Sequence, residues 1–352
     1  MNYLSDYFLI TYLCDVSQQA LEHCAHKVAG HNPKTTTSAE ELCASSEVDA
    51  VLVCNATPFH PTHGILALKH DKHVLIEKPL ALCYRDIEAL SAAEKESKGT
   101  VFVGYMRRYA PAFLDAIKEI GSNADIQYVR VRDIIGPNST FVDQSGTFPK
   151  KFSDFPQEVV DELAAKDTDI MTQALLEELS VPMNADTRLM MAVLGGLGTH
   201  DLSAMREVIG MPRSVIGASM GFPMWSALFQ YDGFTALYES GINGVADFDA
   251  HIEVYTNTKI VRINYDSPYV KGLPTTMTVR EQKTGPRGEP CYEERTIRTT
   301  YEDAYTVEMK EWYDCMISGR TPKTTVEDAR QDLDIFKMLM QSGYSKGGAT
   351  AA

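Results

Sequence analysis

The chain has 352 residues, 44% of them hydrophobic, 23% charged and 9% aromatic, a composition that can bury a sizeable core and excludes bulk disorder. Forty-eight acidic against 33 basic side chains give a formal charge of −15, which argues against nucleic acid as a partner, because polyphosphate binding depends on clustered Lys and Arg. Seven cysteines with no CxxC pair argue against a disulfide framework and fit a reducing compartment, and the length predicts two domains of roughly 100 to 200 residues each.

In chain order, the first apolar run spans Phe8 to Cys14. No basic residue precedes it and Asp6 and Asp15 flank it, so it does not read as a signal peptide. With no uncharged apolar stretch near the ~20 residues a bilayer requires, the expectation is a soluble, cytoplasmic protein. Further apolar runs follow at Ala50–Cys54, His73–Ile76 and Val101–Val103, separated by helical patterns over 17–28, 38–44, 60–69 and 84–98. Unbroken apolar runs alternating with helices predict a doubly wound parallel sheet. Ser17 and Ser38 are the predicted helix N-caps, the second in a capping box with Glu41. From Ile126 the pattern changes to period two over 127–134 and again over 251–255, which predicts antiparallel strands with one solvated face. Residues 154–186 carry nine acidic side chains against one Lys and read as a helical surface insertion, a candidate lid or oligomer contact. A hairpin loop is expected over 282–291. Two amphipathic helices, marked by Met309, Trp312, Tyr313 and Met316 and by Ala329, Leu333, Phe336 and Met340, close the fold before a frayed tail from Lys346 to Ala352.

The chemistry-bearing residues gather where strands end. Asp15 follows the first run, where an acidic residue can take ribose hydroxyls or cap a helix. Asn55-Ala-Thr-Pro-Phe-His60 opens a helix whose amides can face an anion. His60 and His63, like His70 and His73, form an HxxH pair without a matching third ligand, so no metal site is expected. Glu77-Lys78-Pro79 sets a lysine at the carboxyl edge of the sheet. Beside a cationic nicotinamide, that lysine would lose affinity for its proton and relay protons to a substrate hydroxyl.

Glu77-Lys-Pro79, followed after one helix and one strand by Gly104-Tyr-Met-Arg-Arg-Tyr109, resembles the glucose-fructose oxidoreductase and inositol dehydrogenase (Gfo/Idh/MocA) family. Leu194-Gly-Gly-Leu-Gly-Thr-His-Asp-Leu202 is similar to its glycine-rich segment ending in a catalytic histidine, and Glu308 to Ser342 to its C-terminal helices. The likeness runs from Leu9 to Gly343. It implies an N-terminal Rossmann-like parallel sheet over 1–124, lacking its first βα unit, and a C-terminal, mostly antiparallel α/β domain over 125–352. The implied activity is NAD- or NADP-dependent hydride transfer on a sugar, polyol or related cyclic alcohol. By resemblance Lys78 and His200 are catalytic. Asp15, Asn55, Thr57, Pro58, His60, Glu77, Lys78 and Arg107 line the cofactor, while Lys78, Tyr105, His200 and Asp201 meet the substrate. Partners are implied to be the small-molecule substrate and further copies of the chain, with neither nucleic acid nor membrane.

Two departures qualify the likeness. No GxGxxG occurs, and the first glycine is Gly30, so the strand, phosphate loop and helix that begin a Rossmann domain have no counterpart. Gly196 stands four residues before His200, where polyol dehydrogenases of the family often carry an aspartate; Asp201 is the substitute charge partner. A recorded start that omits the first unit is the leading explanation. The alternative is a non-redox member, a ligand-sensing regulator or acid/base lyase, that has lost the cofactor. Asp15 leans toward NAD because a carboxylate repels a 2′-phosphate.

Overall fold

β1 (Tyr12–Cys14), α1 (Gln18–Ala25), β2 (Lys34–Thr36), α2 (Ala39–Ala44), β3 (Ala50–Val53), α3 (His60–Lys69), β4 (His73–Glu77), α4 (Tyr84–Glu96) and β5 (Val101–Gly104) build the expected βα series in the computed structural model, which describes residues 2–344. The Lys346–Ala352 tail lies outside the described residues. All five strands are parallel, but they form two ladders, β2–β1 and β3–β4–β5. Among the described residues, β1 and β3 each have one edge with no strand beside it. β4 is buried through Val74, Leu75 and Ile76, which is why its sequence shows no alternation. The outer edge of β5 is covered where Val103 N–H donates to Thr324 O at 2.9 Å.

Local chemistry explains the element ends. Ser17 caps α1, its Oγ accepting from Ala20 N–H at 2.9 Å, and Ser38 caps α2 through Glu41 N–H at 3.2 Å. The α2 capping box does not close. Glu41 instead accepts from Thr36 Oγ1, and Thr36 Oγ1 takes Ser38 N–H. β1 is shorter than its apolar run because Phe8 leaves the sheet to stack on Trp312, ring centroids 5.5 Å apart, and Leu9 is exposed.

The chain then continues through α5 (Pro111–Ile120), β6 (Ile126–Ile135), α6 (Asn138–Asp143), α7 (Gln157–Thr172), α8 (Ala185–Val193), α9 (Thr199–Ile209) and seven strands: β7 (Ser214–Ser219), β8 (Met224–Gln230), β9 (Thr235–Ile242), β10 (Phe248–Thr256), β11 (Lys259–Tyr265), β12 (Thr276–Thr284) and β13 (Pro290–Ile297). α10 (Ala304–Ser318) and α11 (Val326–Tyr344) close it. Eight strands form one sheet in the order β13-β12-β11-β10-β6-β9-β8-β7, antiparallel except for the parallel pair β6–β9. Their alternation buries Val129 and Val131 of β6, Ile252 and Val254 of β10, and Val261 and Ile263 of β11. Residues 285–289 are the hairpin loop between β12 and β13, closed by Gly285 N–H to Glu289 O at 2.7 Å.

Two compact units result. Of the described residues, one contains 2–104 with 149–178 and 309–330; the other contains Tyr105–Phe148, Leu179–Glu308 and 331–344. Of the segment 154–186, expected as a surface insertion, residues 154–178 belong to the unit of the parallel sheet and 179–186 to the other. Among the described residues no helix is long and apolar enough to cross a membrane.

Candidate functional site

In the first unit, the residues singled out from the sequence lie along the carboxyl ends of parallel strands. Asp15 follows β1, Asn55 follows β3, Glu77 ends β4 and Lys78 comes directly after it. Thr57 and Pro58 sit in a single 3-10 turn, Thr57–Phe59, that leads into α3. His60 is buried. Its ring bridges two backbone carbonyls, Nδ1 at 2.8 Å from Pro79 O and Nε2 at 3.0 Å from Asn55 O. It therefore clamps the loop after β3 to the loop after β4. Burial holds its pKa below the usual value, more strongly than the two carbonyl contacts raise it.

Glu77 is partly buried, and that burial raises its carboxyl pKa against the pull of Lys78. Its Oε2 takes Lys78 N–H at 3.3 Å. The neighbouring Gly104 explains how Glu77 fits: a Cβ on Gly104 would stand 3.3 Å from Glu77 Cα and carboxyl atoms, so glycine there leaves the cradle that the glutamate fills. The remaining histidines are engaged separately, His63 with Asn55, His70 with Glu40 and His73 with Thr100. Among the described residues no group of three or more His, Cys, Asp or Glu is arranged to hold a metal ion.

In the second unit, Tyr105 and Arg107 are buried and bonded inward. The Tyr105 hydroxyl donates to Asp332 at 2.5 Å, and Asp332 also receives Arg206 Nε at 2.8 Å. Arg107 joins two acids, Asp201 at 2.5 Å and Asp133 at 3.0 Å, and lies over the Tyr265 ring at 4.6 Å. Both carboxylates are essentially inaccessible, and among the described residues no N–H or hydroxyl group donates to Asp133 Oδ1 or Asp201 Oδ2. Burial and the neighbouring Asp133 push Asp201 well above the usual carboxylate range despite Arg107. Arg107 keeps its charge, because the two acids outweigh the cost of its burial.

His200 precedes Asp201 in the first turn of α9 and is partly accessible. α8 and α9 are joined by a π-helical stretch, Leu194–Gly198, made of the glycine-rich segment. Gly198 is required by packing, since a Cβ would meet the Tyr238 hydroxyl at 2.9 Å; at Gly196 a Cβ would meet nothing within 4 Å. Lys78 belongs to the first unit and His200 to the second.

Asp133 and Asp332 were not among the residues singled out from the sequence. A signal for Asp133 exists: in β6 it shares the inward parity of Val129, Val131 and Ile135, and a charged residue on a buried face needs a partner.

A parallel Rossmann-like sheet in one unit and a larger mixed sheet in the other define the bipartite architecture of a class of oxidoreductases. The Gfo/Idh/MocA oxidoreductase family, described by its NAD-binding Rossmann fold, matches residues 1–105. Myo-inositol 2-dehydrogenase of Thermotoga maritima is 25% identical over 338 residues, covering 95% of this chain and 86% of that protein. The crystal structure of myo-inositol 2-dehydrogenase from Lactobacillus plantarum superposes with a TM-score of 0.64 at 19% identity, covering 95% of this chain and 88% of the other. A levoglucosan dehydrogenase in complex with NADH and levoglucosan gives a TM-score of 0.69 at 14% identity, covering 95% and 88%. Residues 1–105 thus match the NAD-binding Rossmann domain of the Gfo/Idh/MocA oxidoreductase family, and the chain is similar over most of its length to a myo-inositol 2-dehydrogenase.

Proposed function

We propose that the chain is an NAD(P)-dependent oxidoreductase that moves a hydride between a nicotinamide and a secondary alcohol of a sugar or polyol. The observation that carries this reading is Lys78 at the carboxyl end of β4, between Glu77 in its Gly104 cradle and Pro79, whose carbonyl is tied to His60. The name of the Thermotoga maritima relative supports an inositol-like substrate.

The residues present fit two parts of a dinucleotide. Asp15 offers an exposed carboxylate to the adenosine ribose, and the loops after β3 and β4 offer Asn55, Thr57, Pro58 and Glu77 to the nicotinamide end. The glycine-rich cradle for the pyrophosphate is not in this sequence. In the doubly wound strand order, the strand that precedes such a loop runs between the positions of β1 and β3, where no ladder joins them.

When bound, the nicotinamide supplies the hydride acceptor. Loss of hydride from an alcohol carbon also requires the hydroxyl proton to leave. We assign its removal to the His200 imidazole, with the Lys78 ammonium stabilising the oxygen as its charge grows. Arg107, Asp133 and Asp201 then hold the start of α9, and so His200, in place. Asp201, drawn toward its neutral form, acts through Arg107 rather than as a charge partner of the imidazole.

The test is turnover of a panel of cyclic polyols with NAD and with NADP, followed by nicotinamide absorbance. Lys78→Ala is expected to lower turnover by roughly a hundred- to a thousandfold. Unchanged turnover in that variant contradicts the assignment.

A further inference from the structure

Residues 149–178 run along the carboxyl edge of the parallel sheet, within the same unit. Phe152 meets the His23 ring of α1 at 5.5 Å, Lys166 of α7 lies 5.3 Å over the Phe59 ring, and Asp169 pairs with Arg85 at 2.7 Å. Glu178 receives the N–H groups of Tyr84 at 2.7 Å and Arg85 at 3.0 Å, at the start of α4. At the start of α1 stands Asp154. Its Oδ1 accepts from the Ser17 hydroxyl at 2.5 Å and its Oδ2 from Gln19 N–H at 3.1 Å, although Ser17 is 137 residues away in the chain. Asp15 also reaches Ser17, its Oδ1 accepting Ser17 N–H at 2.8 Å. Two carboxylates therefore converge on one N-cap. The hydrogen bond from Ser17 lowers the pKa of Asp154, so it is ionised near neutral pH.

In a dinucleotide site the acidic residue after such a strand holds the adenosine ribose hydroxyls. A cofactor with a 2′-phosphate needs donors and positive potential at that point instead. The Ser17 hydroxyl, the first amides of α1 and the positive end of its dipole are the groups available. Asp154 already holds two of these donors and adds a second negative charge. We propose that Asp154 is a specificity-determining residue that closes the adenosine end of the site to a 2′-phosphate, restricting this chain to NAD(H). The proposal rests on the dinucleotide reading above and extends it to a residue supplied by a distant segment.

The experiment is calorimetric titration of the full chain and its Asp154→Ala and Asp154→Asn variants with NADH, NADPH, ADP and 2′,5′-ADP, with thermal unfolding recorded for each. Asp154→Ala is expected to tighten NADPH and 2′,5′-ADP by about tenfold or more while changing NADH and ADP by less than about threefold. Asp154→Asn, which keeps an acceptor for Ser17, supplies the folded comparison if the alanine variant is unstable, and is expected to move in the same direction. An unchanged ratio of NADPH to NADH affinity in both variants, with NADH still bound, overturns the role of Asp154 alone. Failure of the unaltered chain to bind any of the four nucleotides overturns the dinucleotide reading and this proposal with it.

Discussion

Replacing Arg107 by Met removes the one cation between Asp133 and Asp201 and leaves two carboxyl groups facing each other out of reach of solvent. Breaking a buried pair by deleting one partner costs about 3–5 kcal/mol. At roughly 2–4 °C per kcal/mol for a unit of this size, the unit should melt about 6–20 °C lower. The loss should also depend on pH. In the folded chain Asp201 sits above its unfolded value, so its contribution is fully present below the unfolded pKa and is lost as pH rises through the folded one. Arg107 is the group that pulls the Asp201 value down, so without it the folded value climbs further and the penalty grows with pH. Urea unfolding followed by tryptophan fluorescence suits the measurement, because Trp225 lies in the second unit and Trp312 in the first. The deficit of Arg107→Met should grow as pH rises through the folded Asp201 value. A deficit below about 1 kcal/mol, or one that shrinks as pH rises, is incompatible with two buried carboxyl groups left without their cation.

Asp201→Asn places a neutral isostere where the carboxyl is drawn toward neutrality, so urea unfolding should show a loss of no more than about 1 kcal/mol, with the pH dependence of stability flattened. Gly198→Ala forces a methyl against the Tyr238 hydroxyl and should cost about 1–3 kcal/mol by the same assay, whereas Gly196→Ala, which meets nothing, should be neutral or stabilise by up to about 1 kcal/mol. Equal effects at the two glycines would remove the packing explanation for the π-helical stretch.

Much of this architecture is legible in the residues themselves. The unbroken apolar run of β4, the end-caps Ser17 and Ser38, and the period-two burial of β6 all follow from side chains a few positions apart. β2 escapes such a reading because Lys34-Thr-Thr36 has no apolar run and its geometry comes from pairing with β1. β1 shortens because Phe8 finds a better partner in Trp312, a contact between residues at opposite ends of the sequence. For the motif residues Tyr105 and Arg107 the family resemblance implies ligand contact. Their bonding to Asp332, Asp133 and Asp201 emerges only when distant strands and helices are brought together. Asp154 is the extreme case: its acidic surroundings suggest a solvated surface, and only the tertiary fold brings it to the first turn of α1.

The most direct measurement is a crystal structure of the chain with NADH and a cyclic polyol bound. The account predicts Lys78 Nζ and a ring nitrogen of His200 each within about 3 Å of the same substrate oxygen, with the nicotinamide along the loops after β3 and β4. Lys78 and His200 facing separate cavities, with no small molecule touching both, would contradict it.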